Sequence, residues 1–348
     1  MTVVVTPSDA APRAVPPDAP RRVRQRRTPS DLLFQGVIRV GGGIVLAVML
    51  LVGVFLTLRA LPALRTMGWR FLTAQEWDPV GGNFGVAGVL VGTVLIAAVA
   101  IVFAVPLATG TALYISEYAP RRIAPLLVNL VDLMAAVPSV VYGIWGLYLL
   151  QPHLLVSGEH GEGLPRWLAT YLSWLPLFQV DGYDPRDPLG SNSSLTSSTF
   201  IAGIIVAMMV TPITSSVMRE VFSQAPVGER EGAFALGATR WGMVRSVVLP
   251  FGRGGMIGGT MLGLGRALGE TIGVYLVISF VFVIQPHILQ IGGGSISSLI
   301  ALRYAESNPV GIAGLMAAGL VLFGMTLLVN FGAGLIINRS RSGAASDA

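Results

Sequence analysis

The sequence predicts an all-α, polytopic membrane protein with six transmembrane helices, and three observations lead to that prediction. Of the 348 residues, 53% are hydrophobic and only 12% are charged, which is about half the charged share of an average soluble domain. Apolar stretches of about twenty residues recur along the chain, and a helix of that length crosses about 30 Å of hydrocarbon. The basic residues lie mostly beside these stretches. Lipid is therefore the expected solvent for most of the chain.

Composition also excludes several kinds of site. All 23 basic residues are arginine, so the chain lacks the lysine that a Walker-type loop places on its nucleotide. We therefore expect no cofactor in this chain, no enzymatic reaction, and any ATP bound by a partner subunit. The absence of cysteine excludes disulfides and zinc–thiolate sites. The pI of about 10.0 reflects arginines beside apolar segments, which anionic lipid and membrane orientation explain better than nucleic acid.

The chain begins with a tail, residues 1–30, that is rich in proline, alanine and arginine and is predicted to be disordered. Residues 31–85 are predicted to hold the first span and an external segment, residues 86–337 the main transmembrane domain, and residues 338–348 a second tail. Pro138 and Ser139 are expected to shape a break in the third span. The six predicted spans are Val40–Leu58, Val86–Ala108, Leu126–Leu150, Phe200–Val217, Ile257–Val283 and Val310–Ile337.

The distribution of arginine predicts that both termini are cytoplasmic. That orientation leaves sixteen arginines inside and six outside, with Arg266 within the membrane. The largest external connection is then the loop 151–199. Its acidic groups have no metal-site spacing, so a solvated surface is favoured over a metal site. The two groups considered are Glu159, His160 and Glu162, and Asp181, Asp184 and Asp187.

The cytoplasmic loop 219–250 is the most informative part of the sequence. Pro226 is suited to the first turn of a helix, and Gly237 to the left-handed backbone that ends one. Thr239 is expected to cap a second helix running toward Leu249, where Pro250 limits its continuation. Two short helices joined at a glycine would form a compact projection into the cytoplasm.

This loop resembles the ATPase-docking motif of bacterial ABC importer permeases, which reads Glu-Ala-Ala, three residues, Gly, nine residues and Ile-x-Leu-Pro. The spacing matches throughout, with two substitutions of similar size. The resemblance implies a type I ABC importer permease (MetI-like) fold, with Glu231 near the ATPase, Gly237 at the turn, and Leu249 and Pro250 at the exit. The alternative is a helix pair at the membrane surface without a partner. The matching residues are Glu231, Gly232, Ala233, Gly237, Val247, Val248, Leu249 and Pro250.

The fifth span contains two charged residues, Arg266 and Glu270, which would share a face of a continuous helix and pair. A charge at mid-membrane costs about 2.5 to 3.5 kcal/mol on insertion scales, so such groups usually face a cavity or each other. The arginine fork suits a phosphate or a carboxylate. A purely structural ion pair is the alternative. Asp132 and Ser139 in the third span are weaker pathway candidates, and for Asp132 a structural role is favoured.

The stretches GRALGET and LMAAVPSVVYGIWGL, together with the docking loop, look like the PstC-type permeases of high-affinity phosphate importers. The similarity runs from about Trp69 to Ile337. It implies ATP-driven import of inorganic phosphate across the bacterial plasma (inner) membrane by alternating access, with Arg266 and Glu270 on the substrate pathway. The implied partners are a second, PstA-type permease, two PstB-type ATPase subunits and a PstS-type extracytoplasmic binding protein. Rival hypotheses are an ABC permease for sulfate or molybdate and a self-contained anion channel or carrier.

Overall fold

The computed structural model describes residues 29–155, 163–184 and 192–341. Most of the two predicted tails, and Glu159, His160, Glu162 and Asp187, therefore lie outside the described residues. The chain divides into two compact units, Met1–Val52 and Gly53–Ala348. The helices are α1 (Pro29–Met67), α2 (Arg70–Thr73), α3 (Ala87–Leu113), α4 (Ala124–Ala136), α5 (Ser139–Trp145), α6 (Leu164–Tyr171), α7 (Thr199–Ser223), α8 (Val227–Ala235), α9 (Arg240–Met243), α10 (Leu249–Leu268), α11 (Ile272–Val277), α12 (Ile296–Arg303) and α13 (Pro309–Arg341).

Short non-α elements complete the described chain. Strands β1 (Trp77–Asp78) and β2 (Asn83–Phe84) pair antiparallel just before α3. Three π-helical stretches extend or join α-helices, at Tyr114–Tyr118, Gly146–Leu155 and Val244–Val248. The 3₁₀ turns are Pro176–Phe178, Asn192–Leu195 and Tyr304–Glu306. The predicted all-α class is therefore confirmed.

Among the described residues, the helices provide six candidate membrane spans if one broken helix counts as a span. Five helical runs are long and apolar enough to cross a membrane. The sixth is the pair Ala124–Ala136 and Ser139–His153, which meet at a 90° bend. The bend lies at Val137 and Pro138, because proline disfavours helical backbone in the residue before it. The predicted number of spans and the predicted break are both confirmed.

The first unit contributes the helical residues 29–52, whose apolar side chains are largely exposed. Leu33, Leu46 and Leu50 are each about 70% exposed. A helix that is apolar on all sides is suited to lipid, where exposure of leucine costs nothing. This stretch therefore has the composition and the surface of a lipid-facing span.

In the second unit, α3 and α7 form the central packed pair. Gly203 of α7 lets the helices approach closely, since a Cβ atom at that position would lie 2.5 Å from Val99 Cγ1 of α3. The rings of Phe103 and Phe200 meet edge to face with centroids 5.8 Å apart. The close fit implies that the two helices behave mechanically as one body.

The fifth span differs from the prediction in two ways. It begins earlier, because α9, the π-helical stretch and α10 form one continuous run, Arg240–Leu268. The expectation that Pro250 limits this helix is wrong. In an α-helix the ring of Pro250 would clash with the carbonyl group four residues back, at Ser246. Here Ser246 belongs to the π-helical turn Val244–Val248, which is wider and accommodates the ring.

The second difference is that the span ends at Leu268 and does not continue as helix to Val283. Gly269 closes α10, and the short α11 starts only at Ile272. The buried hydroxyl of Ser297, near the start of α12, donates a hydrogen bond of 2.5 Å to the free carbonyl oxygen of Glu270. This tertiary contact supplies a hydrogen-bond partner to a backbone carbonyl that the helix break leaves without one.

The predicted external loop 151–199 contains ordered structure. It includes α6, and its end is held against the segment after α11, because the Phe200 N–H donates to the Ile288 carbonyl at 2.8 Å. Asp181 lies 3.6 Å from His287 Nδ1. Burial raises the pKa of the Tyr183 hydroxyl above its ordinary value, and the nearby Arg166 partly offsets that rise.

Candidate functional site

Helices α8 and α9, residues Val227–Met243, form a compact pair joined by a glycine turn. Pro226 stands just before the first helical residue of α8. The turn is a Schellman motif, in which the Ala238 N–H donates to Ala233 and the Gly237 N–H to Phe234. Gly237 has a φ of +83°, which confirms its predicted left-handed conformation. Thr239 Oγ1 accepts from the Gly242 N–H at 3.1 Å, which confirms the predicted cap.

The α8–α9 pair has an exposed face and a packed face. On the exposed face lie Glu231 and Gly232, beside apolar side chains of which Leu236 is 91% exposed. On the packed face, Ala233 lies, together with Leu249 of α10, against a cluster that includes Phe222 of α7 and residues of α3. The other exposed apolar side chains are Val227, Phe234 and Trp241. Apolar groups concentrated on a projecting pair indicate a protein-binding surface.

Two arginines, one on each helix of the pair, attach it to the end of α3. Arg230 of α8 reaches Glu117 through both guanidinium nitrogens, with Nη2–Oε1 at 3.2 Å and Nη1–Oε2 at 3.3 Å. Its Nη2 also donates to the Phe222 carbonyl at 2.6 Å. Arg240 of α9 lies over the ring of Tyr118, 5.5 Å from the centroid. The Glu117 side chain is only 4% exposed, so the pair is largely withdrawn from water.

Arg266 lines a cavity of about 310 Å³ between α7, α10 and α13. The other polar side chains that line the cavity are Thr326 and Asn330, which lie near the middle of the 33-residue α13. The cavity therefore lies beside the middle of a helix that is long enough to span a bilayer. The apolar lining consists of Ile213, Met261, Leu262 and Gly265. A permanent cation thus faces a space large enough for a small oxyanion.

Glu270 does not share a helix face with Arg266, because α10 ends between them, and the expected ion pair is not formed. Within residues 29–155, 163–184 and 192–341, no ion pair joins these two side chains. Instead, Glu270 is buried, and its Oε1 accepts from the Gly273 N–H at 3.2 Å. The carboxylate therefore caps the first turn of α11, where backbone N–H groups favour a negative charge.

The weaker candidates occupy separate places. Asp132 is exposed on α4 and its Oδ1 accepts a hydrogen bond from Ser216 Oγ of α7 at 3.1 Å. It therefore bonds to a serine of a neighbouring helix. Ser139 begins α5, and its carbonyl oxygen faces Gly273, the residue that Glu270 caps. The structure thus brings Ser139 and Glu270 to the same helix break and leaves Asp132 apart.

Sequence reasoning missed Glu117, Thr326 and Asn330. Glu117 carried a usable signal, since it is an isolated carboxylate at the end of a long apolar stretch. A charge in that position needs either water or a partner. Thr326 and Asn330 carried the same kind of signal, as polar residues four apart in the last span.

Several membrane spans, a cation that faces a cavity between three of them, and a projecting helix pair define the class of multi-span transport permeases. The chain belongs to the family described as binding-protein-dependent transport system inner membrane component, which matches residues 104–342. It is accordingly a multi-pass inner-membrane subunit that works with an ATPase and other partners.

Several curated relatives are similar over most of the chain. The phosphate transport system permease protein PstC 2 of Mycobacterium tuberculosis is 38% identical over 306 residues, covering 86% of this chain and 89% of that protein. PstC of Mycobacterium leprae is 39% identical, covering 80% and 83%. PstC of Pasteurella multocida is 34% identical, covering 86% and 89%.

Among solved structures, a chain of a bacterial ABC transporter involved in the import of the acidic polysaccharide alginate superposes with a TM-score of 0.52. The sequence identity is 17%, and the match covers 88% of this chain and 98% of that one. At that identity the likeness concerns the fold alone. It confirms the predicted type I importer permease fold.

Proposed function

We propose that this chain is a pore-forming permease subunit of an ATP-driven importer of inorganic phosphate. The observation that carries the proposal is the Arg266 cavity, in which a cation faces the middle of α13 without a carboxylate from Glu270. A cation inside a membrane-spanning helix calls for an anion to neutralise it. The relatives named as phosphate transport permeases supply the chemical class of that anion.

The polar groups of the cavity favour hydrogen phosphate over sulfate. The Thr326 hydroxyl donates to the Phe323 carbonyl at 2.8 Å, which leaves its oxygen lone pairs as acceptors. The Asn330 amide offers both a donor and an acceptor. Hydrogen phosphate carries a P–OH donor that these acceptors can receive, whereas sulfate at neutral pH has no proton to give. The guanidinium alone would not separate the two anions.

The α8–α9 pair is the proposed docking site for the ATPase. Glu231 lies exposed on α8 next to apolar side chains, a combination suited to a partly apolar cleft with a charged rim. The Gly237 turn sets the angle between α8 and α9, and Ala233 and Leu249 hold the pair against the spans. Both termini and this pair are assigned to the cytoplasm by the arginine bias.

One chain offers one such pair, whereas an importer driven by two ATPase subunits has two clefts. The proposed assembly therefore contains a PstA-type permease, two PstB-type ATPase subunits and a PstS-type binding protein. In this mechanism the loaded binding protein docks outside, ATP draws the ATPases together, and the spans open outward. Phosphate then passes Arg266 and leaves to the cytoplasm. Glu270 caps α11 and thereby stabilises the helix break beside the phosphate pathway.

The testing experiment is uptake of labelled phosphate by cells that make this chain with its partners, with sulfate and molybdate as competitors. Phosphate uptake that resists an excess of both supports the proposal. Efficient inhibition by sulfate or molybdate would assign the chain to another oxyanion. Uptake that persists after the ATPase subunit is deleted would favour a self-contained channel or carrier.

A further inference from the structure

The end of α3 makes two contacts with the α8–α9 pair that the docking surface itself does not require. We propose that Glu117 and Tyr118 form, with Arg230 and Arg240, a clamp that transmits movement of the α8–α9 pair to the spans. The proposal rests on the proposed function, because the movement is that imposed by a docked ATPase. Glu117 and Arg230 are therefore assigned as positioning residues for transport.

The geometry of the Glu117–Arg230 pair is that of a rigid link. Arg230 Nη1 donates a hydrogen bond to Glu117 Oε2 at 3.3 Å, and Nη2 lies 3.2 Å from Oε1, so two contacts join the guanidinium to the carboxylate and restrict rotation about the pair. With its side chain only 4% exposed, Glu117 has lost most of its hydration. Apolar packing would hold α8 in place with less desolvation, so a buried ion pair is better explained by a need for a defined geometry.

The clamp is attached on both sides of the turn at Gly237. Arg230 belongs to α8 and Arg240 to α9, yet their partners Glu117 and Tyr118 are consecutive residues. These partners lie in the π-helical stretch that extends α3. Rotation of the pair as a unit must therefore move the end of α3.

Movement at that end reaches the Arg266 cavity through packed helices. The third contact of Arg230 is the Phe222 carbonyl near the end of α7, so the clamp holds both members of the α3–α7 body. In turn, α7 fits against glycines of α10. A Cβ atom at Gly263 would lie 2.6 Å from Thr214 Oγ1, and one at Gly255 would lie 2.4 Å from Val221 Cγ2. Helix α10 carries Arg266.

The first test follows movement at the far end of α3 in the assembled transporter. Val80 is 85% exposed in the turn before α3, about 40 Å of helix away from the clamp. Since the chain has no cysteine, Val80→Cys gives a single maleimide target on this subunit. We expect ATP to change the labelling rate of this cysteine at least threefold. Glu117→Gln or Arg230→Gln should reduce the change to less than 1.5-fold, while the ATPase still co-purifies with the permease.

The control is Glu220→Gln, which removes an exposed carboxylate that hydrogen-bonds Gln224 on α7 and should leave the labelling response unchanged. An unaltered response in the Glu117 and Arg230 variants would overturn the clamp alone. Loss of the ATPase from those variants would also overturn it, because the pair would then only support docking. No ATP response in the unsubstituted transporter would overturn the proposed function and the clamp with it.

The second test replaces the ion pair by a covalent link. In Glu117→Cys/Arg230→Cys, reconstituted in proteoliposomes, we expect phosphate imported per ATP hydrolysed to fall at least tenfold. Joining the two cysteines with a short bifunctional maleimide should recover most of that ratio. A loss that cross-linking does not reverse would show that the pair acts otherwise than as a mechanical link. No loss at all would overturn the proposal.

Discussion

Replacement of Arg266 by glutamine should nearly abolish phosphate uptake. A bound anion would lie about 4 Å from the guanidinium charge, and at an effective dielectric constant of about 20 that attraction is about 4 kcal/mol. Each 1.36 kcal/mol corresponds to a factor of ten, so we expect a loss of roughly a thousandfold. Arg266→Lys keeps the charge but loses the fork, and should cost about tenfold through one weakened charge-assisted hydrogen bond.

The assay is initial uptake of labelled phosphate, divided by the amount of assembled transporter in the membrane. Arg70→Gln is the matched control, because Arg70 is exposed on α2 and lies outside the residues that line the cavity. Uptake by Arg266→Gln above about one tenth of the unsubstituted level, at equal membrane abundance, would remove Arg266 from the substrate pathway. Equal losses in the lysine and glutamine variants would show that charge is not the operative property.

Three further outcomes are expected. Glu231→Lys reverses the charge of the exposed docking face and should detach the ATPase in co-purification, so normal ATPase binding and transport would refute the docking assignment. Gly237→Val forces a branched side chain into a left-handed backbone, at a cost of about 1 to 2 kcal/mol. The affinity for the ATPase, measured by titration, should therefore fall about 5- to 30-fold. The control Gly110→Val adds the same side chain in open space on α3 and should not alter that affinity. Asn330→Leu removes an acceptor from the Arg266 cavity and should reduce the preference for phosphate over sulfate about tenfold in competition assays; unchanged selectivity would assign that preference elsewhere.

Local backbone chemistry explains what the sequence could predict. The break at Pro138, the left-handed turn at Gly237 and the cap at Thr239 each depend on one residue and its immediate neighbours. The span count depends on length and hydropathy, which are equally local. These features were therefore accessible before any tertiary contact was known.

The two incorrect predictions about the fifth span depend on structure beyond the residue on which each was based. Pro250 does not end its helix, because the π-helical turn before it makes room for the ring. Helix α10 ends at Leu268, because Ser297, distant in sequence, satisfies the carbonyl that the break exposes. In the first case a wider backbone turn overrode the local preference, and in the second case a tertiary contact did so.

For the candidate site, the sequence identified the charged residues but not their partners. Arg266 and Glu270 were expected to neutralise each other, whereas Glu270 caps α11 and Arg266 faces Thr326 and Asn330. The Glu117–Arg230 pair joins residues 113 positions apart. Pairing across that distance depends on how α3 and α7 pack, which no local pattern encodes.

The apolar tip of the α8–α9 pair bears on how the transporter is made in the cell. The rest of the subunit leaves the apolar side chains of Leu236 and Trp241 exposed. A copy synthesised without an ATPase would present this tip to chaperones and proteases. Surplus permease should therefore turn over faster than the assembled complex, so that the supply of ATPase sets how much of this subunit accumulates.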